Sequence, residues 1–89
     1  MSAEDAALQK FDLYSSDLQY LKTLSGIGKQ NLTRHITKIS ADPQEQKNIM
    51  SSFVKMSNLG YLKDSGFIIR SILITDNGES LLQKVASGK

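Results

Sequence analysis

The 89-residue sequence contains no cysteine and only one histidine, His35. Without cysteine there is no disulfide, no thiolate ligand for zinc and no thiol nucleophile, and a reducing compartment is compatible with this composition. His35 has no ligand set near it in the sequence, so we expect a surface or boundary residue, not a metal ligand or a base. No pair of carboxylates stands at a spacing useful for catalysis. The sequence therefore favours a binding protein without metal or cofactor over an enzyme.

Long apolar runs are also missing. No segment approaches the roughly 20 apolar residues of a membrane-spanning helix, and the acidic start at residues 1 to 5 lacks the basic region of a signal peptide. The length and the 39% apolar content suit one domain with one modest core. We expect an N-terminal arm or short helix over residues 1–15, a single domain over residues 16–89, and a soluble, cytoplasmic protein without a membrane partner.

Positive charge is concentrated in the middle of the chain. Residues 1 to 19 carry one lysine against four carboxylates, residues 20 to 71 carry eight cations against three carboxylates, and the remainder balances. A basic central segment is typical of nucleic-acid binding, although such a cation density is also ordinary for a solvated surface.

Two short helices are predicted before residue 40. Leu18, Leu21 and Leu24 recur at helical spacing after Ser16, a plausible N-cap, which predicts a helix over residues 17–25. A second helix contains Leu32, Ile36 and Ile39 and lies between a glycine turn and Ser40. That turn, Gly26-Ile27-Gly28, also resembles a helix-hairpin-helix, whose backbone N–H groups bind a DNA phosphate at a helix N-terminus.

The third predicted helix has the clearest start, because Asp42 can cap it, Pro43 suits its first position and Glu45 completes an acidic capping box. Its apolar side contains Ile49, Phe53 and Met56, with Met50 and Val54 beside them. The opposite face is polar, and its full charges are all positive: Gln44, Lys47, Asn48, Ser51, Lys55 and Asn58. Amide, lysine and hydroxyl groups can pair with base edges, although most amphipathic helices have some solvated polar face.

A short β-hairpin and a closing helix are predicted after Gly60. One strand covers residues 61–63 and another residues 68–74, around a turn containing Asp64-Ser65-Gly66, and β-branched residues favour the second strand. Thr75 can cap the last helix, in which Leu81, Leu82 and Val85 face inward.

These last segments carry a family resemblance. Asn58-Leu59-Gly60-Tyr61-Leu62, paired with the run from Leu73 to Leu82, resembles the helix-end Gly-hydrophobic step and the strand-Thr-x-x-Gly-x-x-Leu-Leu ending of winged-helix regulators of the MarR and PadR type. The resemblance covers about residues 17 to 86. It implies an α+β winged helix-turn-helix with a three-helix core, a short hairpin wing and a C-terminal helix, in which Thr75 caps and Gly78 permits close packing. The chain departs from the pattern in a longer turn between helices 2 and 3 and in a short wing with one arginine.

The resemblance also assigns roles to residues. It implies that the side chains of Gln44, Lys47, Asn48 and Ser51 read bases, and that Lys63, Ser65 and Arg70 of the wing contact phosphates, to which we add the cations Lys29, Arg34, Lys38 and Lys55. The resulting hypothesis is a sequence-specific, nucleoid-associated protein that binds double-stranded DNA as a homodimeric transcriptional regulator. A dimer interface would use Phe11, Leu13 and Tyr14, which could equally pack within the chain. The alternatives are a plasmid or viral partition or architectural DNA-coating protein, and a winged-helix module that binds another protein.

Overall fold

The computed structural model describes residues 8–66 and 69–87. Its helices are α1 (Ser15–Lys22), α2 (Leu32–Ile39), α3 (Pro43–Asn58) and α4 (Asp76–Ser87), and its strands are β1 (Gln30–Asn31), β2 (Leu62–Ser65) and β3 (Ser71–Ile74). The strands form one antiparallel sheet in the order β1-β3-β2. This arrangement confirms the predicted α+β winged helix-turn-helix. Within the described residues, no helix is both long and apolar enough to cross a membrane.

Helix α1 begins earlier than predicted and ends earlier as well. Its N-cap is Tyr14, not Ser16, because the Tyr14 N–H donates to Asp17 Oδ2 at 2.9 Å and fixes the start of the helix there. The helix ends at Lys22, and a turn follows. Leu24 lies after the end of the helix but is fully buried, so the apolar spacing predicts its burial correctly although it does not predict the end of the helix.

Helix α3 starts where the sequence predicts. Asp42 accepts hydrogen bonds from the backbone N–H groups of Gln44 and Glu45 at 3.4 and 3.3 Å, and Pro43 occupies the first turn. Residues 40 to 42 join α2 to α3. The prediction of an unusually long turn was wrong, because the three-residue connection is of helix-turn-helix length.

One core holds the helices and the sheet together. Ile49, Phe53 and Met56 of α3 are buried as predicted, and the core also receives a set of residues from the other elements: Leu8, Leu13, Leu18, Leu21, Leu24, Leu32, Ile36, Leu62, Ile72, Leu81 and Val85. Leu82 is partly buried against this cluster. The inward face of the last helix is therefore as expected.

The wing differs in detail from the predicted hairpin. The β2–β3 register pairs Leu62 with Ile74 and Ser65 with Ser71, so Asp64 and Ser65 belong to a strand and not to the turn. The second strand begins only at Ser71; Ile69 lies outside it and is 68% exposed, and residue 68 is outside the described residues. Apolar character at residue 69 was therefore a misleading strand signal.

Strand β1 was not predicted. It pairs Gln30 with Ile72 and Asn31 with Ser71, and the Leu32 N–H donates to the Arg70 carbonyl at 2.9 Å. Two polar residues show no strand alternation in the sequence, so the strand is defined by its pairing with the edge of β3. It attaches the start of α2 to the wing.

The base of the wing packs against the end of α3 through contacts made by Thr75 and Gly78. The Thr75 hydroxyl donates to the Gly60 carbonyl at 2.7 Å and accepts from the Gly78 N–H at 3.1 Å, while the Thr75 N–H donates to the Tyr61 carbonyl at 3.0 Å. A Cβ at Gly78 would overlap the Tyr61 carbonyl oxygen and lie 2.7 Å from Ile74 Cγ1. The predicted Thr75 cap and the close packing at Gly78 are both confirmed.

Candidate nucleic-acid interface

The four residues predicted to read bases share one exposed face of α3. Gln44, Lys47, Asn48 and Ser51 are spaced i, i+3, i+4 and i+7, and all are exposed. They lie opposite Ile49 and Phe53, which are buried. Because Asp42 and Glu45 are confined to the start of the helix, the exposed face beyond its first turn contains no carboxylate. The helix therefore offers amide, hydroxyl and ammonium groups side by side.

Lys55 of the same helix is engaged inside the protein. Its ammonium group pairs with Asp17 Oδ2 from α1 and lies 4.7 Å from the centroid of the Tyr14 ring. Asp17 is only 4% exposed and also accepts a hydrogen bond from the Ser52 hydroxyl. Lys55 thus joins α1 to α3, a contact that the sequence prediction of a phosphate-binding role did not anticipate.

The electrostatics of Asp17 follow from this cluster. Burial by itself would raise the pKa of the carboxyl group, but hydrogen bonds from Lys55, Ser52 and the Tyr14 backbone, together with the charge of Lys55, hold it below its ordinary value. The carboxylate is therefore charged and compensated at neutral pH.

Arg70 is also paired, but at the surface. Its guanidinium contacts Asp64 of β2 through Nη2 and Oδ2, and Nε lies 3.4 Å from Oδ1. The hydrogen bond and the charge of Asp64 raise the pKa of Arg70, so the arginine stays charged. The predicted phosphate-binding arginine of the wing is thus held by a carboxylate of the neighbouring strand.

The other predicted phosphate contacts are on the surface. Lys29, Arg34, Lys38 and Lys63 are exposed, and Ser65 is half-buried. Within residues 8–66 and 69–87, the ion pairs are Asp17–Lys55 and Asp64–Arg70, so these four cations have no carboxylate partner there. Arg34 and Lys38 lie one turn apart on α2, while Lys63 lies on β2. Helix α2 and the wing therefore both present basic groups.

The expectation for His35 was wrong, because the side chain is buried. It is 6% exposed, its ring lies 6.1 Å from that of Phe53, and Nε2 is 2.8 Å from the Thr23 hydroxyl. Thr23 donates its own proton to the Tyr20 carbonyl at 2.6 Å, so its oxygen accepts from a protonated Nε2. Burial, with the charge of Lys38, lowers the pKa of His35. The ring is a core group that links α2 to the end of α1.

The glycine turn does not form the alternative helix-hairpin-helix. Gly26 and Gly28 have φ values of 75° and 71°, which favour glycine, but the turn leads into β1 and not directly into a helix. Helix α2 then begins with Asn31 as its cap, whose Oδ1 accepts from the Arg34 N–H at 2.9 Å. The helix N-terminus that would meet a phosphate in that motif is separated from the glycines.

The three residues predicted for dimerisation have different environments. Leu13 is 3% exposed in the core of its own chain, and Phe11 packs partly against that core. Tyr14 is 74% exposed. The intramolecular alternative therefore describes Leu13, and Tyr14 alone of the three is largely available to a partner.

A second surface on α3 was not predicted. Val54 is 42% exposed and Leu59 is 43% exposed, although the pattern placed Val54 beside the core. With Met50 they line a shallow groove of about 470 Å³, together with Ser51, Lys55 and Asn58. Helix α3 thus has an apolar patch towards its C-terminal end.

The helix pair, the three-residue turn and the sheet that follows define a winged helix-turn-helix domain. Solved structures of other proteins share this fold. A MarR family transcriptional regulator from Streptomyces coelicolor superposes with a TM-score of 0.76 at 14% identity, covering 96% of this chain and 60% of that one. A mutant MarR from E. coli complexed with operator DNA gives 0.74 at 9% identity, covering 97% and 62%. A MarR-like transcription regulator from Bacillus cereus gives 0.71 at 17% identity, covering 97% and 63%.

These similarities concern the fold. The chain spans less than two thirds of the length of each of these proteins. No protein-family model matches the sequence, and no curated protein does. The winged-helix fold that the sequence resemblance implies is therefore confirmed by the structure, although the sequence identity to these proteins is low.

Proposed function

We propose that this protein binds double-stranded DNA sequence-specifically and regulates transcription. The observation that carries the proposal is the exposed face of α3, where Gln44, Lys47, Asn48 and Ser51 stand in one stripe that contains no carboxylate beyond the first turn. In a helix-turn-helix, the second helix lies in the major groove and its N-terminal residues contact base edges. Gln44, Lys47 and Asn48 belong to the N-terminal half of α3, and Ser51 follows at the middle of the helix. The structural similarity to a MarR that is complexed with operator DNA supports the same use of the domain.

Phosphate contacts would come from both sides of this helix. Exposed Arg34 and Lys38 on α2, Lys29 before β1, and Lys63 with Ser65 on β2 supply donors without an internal carboxylate partner in the described chain. Such contacts fix the register on the duplex and carry most of the salt dependence. Lys55 and Arg70 would contribute only after giving up their aspartates.

We propose a homodimer as the DNA-binding form, because one small reading helix covers only half of a typical operator and two-fold sites are read by dimers. Exposed Tyr14 is the candidate contact. Sedimentation equilibrium tests this separately: a monomer at micromolar concentration, alone and on a DNA duplex, would contradict it. The partition or DNA-coating role uses the same interface and predicts binding of many copies along one duplex.

Fluorescence anisotropy on two duplexes tests the central proposal. We expect tight binding to a site selected from a random library, or to DNA upstream of the gene, and weaker, strongly salt-dependent binding to a random duplex. Lys47→Ala should weaken the specific complex by about tenfold and the random complex much less, since a good base contact contributes about 1–3 kcal/mol. Lys63→Ala should weaken both alike and reduce the salt slope by about one.

Lys84→Ala is the matched control, since Lys84 is exposed on α4, outside the proposed interface. It should bind both duplexes like the wild type. Equal losses on both duplexes for Lys47→Ala would reject base reading by that residue. No DNA binding at low salt would reject the proposal as a whole.

The groove lined by Met50, Val54 and Leu59 favours one second candidate, a module that binds another protein through α3. Exposed apolar surface of this kind often marks a protein contact. This candidate predicts no salt-dependent DNA affinity, and it predicts that Val54→Ser abolishes partner binding while Lys47→Ala does not.

A further inference from the structure

Asp64 and Arg70 are placed to interact by the geometry of the wing. In the β2–β3 register, Asp64 stands opposite Ile72 and Ser65 opposite Ser71. Arg70 therefore lies two residues before Ile72, diagonally across the hairpin from Asp64. Long side chains reach across such a diagonal. The arginine is also fixed at its backbone, because its carbonyl accepts from the Leu32 N–H at 2.9 Å. The two-point contact of the guanidinium with the carboxylate follows from this placement.

Because Asp64 neutralises Arg70, the wing attracts a phosphate with one positive charge fewer. Arg70 satisfies part of its donor fork with Asp64, and the carboxylate repels a phosphate that approaches the same place. Among the described residues of the wing, Lys63 then remains as the cation without a carboxylate partner.

The pair differs from Asp17–Lys55 in one decisive respect. Asp17 is almost fully buried, whereas the side chain of Arg70 is 44% exposed and that of Asp64 is 26% exposed. An exposed pair is weak, so a phosphate can replace the carboxylate as the partner of the guanidinium at small cost. Arg70 is therefore not required for the stability of the fold, and its guanidinium can bind a phosphate once Asp64 is displaced.

We propose that Asp64 is a specificity-determining residue that limits the phosphate affinity of the wing by holding Arg70. This inference rests on the DNA-binding function proposed above. Its consequence is that non-specific affinity stays low, so the base contacts of α3 account for a larger share of the specific complex. Removing the carboxylate releases a planar donor fork suited to a phosphate.

The test is a double-mutant cycle on a random-sequence duplex, with Asp64→Asn, Arg70→Gln and the double variant measured by anisotropy over a salt series. Asp64→Asn should tighten random-duplex binding by about fivefold to tenfold near 0.1 M salt and steepen the salt slope by about one, as expected for one added phosphate contact. Arg70→Gln should change the wild-type affinity by less than about twofold. In the Asp64→Asn background, the same Arg70→Gln change should abolish the gain.

Asp12→Asn is the matched control for removing a carboxylate. Asp12 is exposed and has φ 60°, a conformation that asparagine also tolerates, so the substitution changes charge alone. It should leave affinity and slope unchanged. Circular dichroism should show that all variants are folded, since both members of the wing pair are surface groups.

The outcomes separate the two proposals. If the wild type binds and Asp64→Asn binds no tighter, the role of Asp64 is rejected while the DNA-binding function stands. If Asp64→Asn gains equally in the Arg70→Gln background, the gain comes from the lost repulsion alone and the role of Arg70 is rejected. If neither the wild type nor Asp64→Asn binds DNA at low salt, both proposals fail together. Site selection adds a further readout, because the ratio of specific to random affinity should fall in Asp64→Asn.

Discussion

The helical junction, where Asp17 of α1 meets Ser52 and Lys55 of α3, and the wing each contain an aspartate that neutralises a cation, but the two pairs have different surroundings. At the junction, Asp17 is buried and accepts from Lys55, Ser52 and the Tyr14 backbone. In the wing, Asp64 is partly exposed and holds Arg70 alone. Removing one partner of a buried pair leaves groups without partners, whereas an exposed pair exchanges its contacts for water. We therefore expect the Asp17–Lys55 pair to affect the stability of the fold and the Asp64–Arg70 pair to affect only DNA binding.

The largest effect should come from Asp17→Ala. The substitution leaves the Ser52 hydroxyl and the Tyr14 N–H without their acceptor and Lys55 without its counter-charge, so we expect a loss of about 3 kcal/mol in the free energy of unfolding. This value is at the lower end for buried pairs because the Lys55 side chain is 34% exposed. Urea unfolding followed by circular dichroism measures it. Ser52→Ala should cost about 1 kcal/mol; a loss below that for Asp17→Ala would remove the distinction between the two regions.

Gly78→Ala should come next and should show that the base of the wing is rigid. The new Cβ would overlap the Tyr61 carbonyl and crowd Ile74. Overpacking of this kind costs about 1–3 kcal/mol, which thermal unfolding detects as a lower Tm. Ser80→Ala, at an exposed position of the same helix, is the control and should leave Tm nearly unchanged. An unchanged Tm for Gly78→Ala would mean that Tyr61 moves away freely.

A smaller, pH-dependent effect is expected from His35, which links α2 to the end of α1. Its pKa is lowered in the folded state, so the unfolded chain binds more protons near its ordinary value of 6.5. Stability is therefore fully present above that pH and decreases as the pH falls towards the folded pKa. Urea unfolding at several pH values between 5 and 8 measures this dependence. As the chain contains one histidine, His35→Gln should remove most of it; a variant with the same dependence would assign the effect to another group.

The smallest effect on stability should be that of Asp64→Ala. Because the pair is at the surface, we expect no measurable change in the urea midpoint, although DNA affinity should rise. The comparison is sharpest if Asp17→Ala and Asp64→Ala are measured together. A destabilisation of similar size at both sites would contradict it.

Much of the fold could be predicted because its signals are local. The start of α3 depends on Asp42 and Pro43, which are adjacent, and the Thr75 cap and Gly78 lie within one turn of each other. The base-reading stripe of α3 also follows from helical spacing alone. Its exposure is confirmed, while its role in binding bases stays a prediction.

The features that were missed depend on contacts between distant segments. Nothing near Lys55 indicates that Asp17 of another helix neutralises it, and nothing near Gln30 indicates that a strand edge lies beside it. The lack of nearby ligands in the sequence predicts a surface or boundary position for His35, whereas its burial depends on contacts with Phe53 and Thr23 in other parts of the chain. The helical pattern predicts Val54 beside the core, but the side chain is 42% exposed, because an apolar helical face has no sharp boundary in sequence.

Strand β1 has a consequence for the kinetics of folding. It pairs Gln30 with Ile72, so the sheet is complete only when the two halves of the chain have met. Helices α2 and α3 and the β2–β3 hairpin involve near neighbours in sequence, whereas β1 requires the closure of a long loop. We therefore expect β1 to dock after the main transition state. Substitutions in it should accelerate unfolding and leave the rate of folding nearly unchanged.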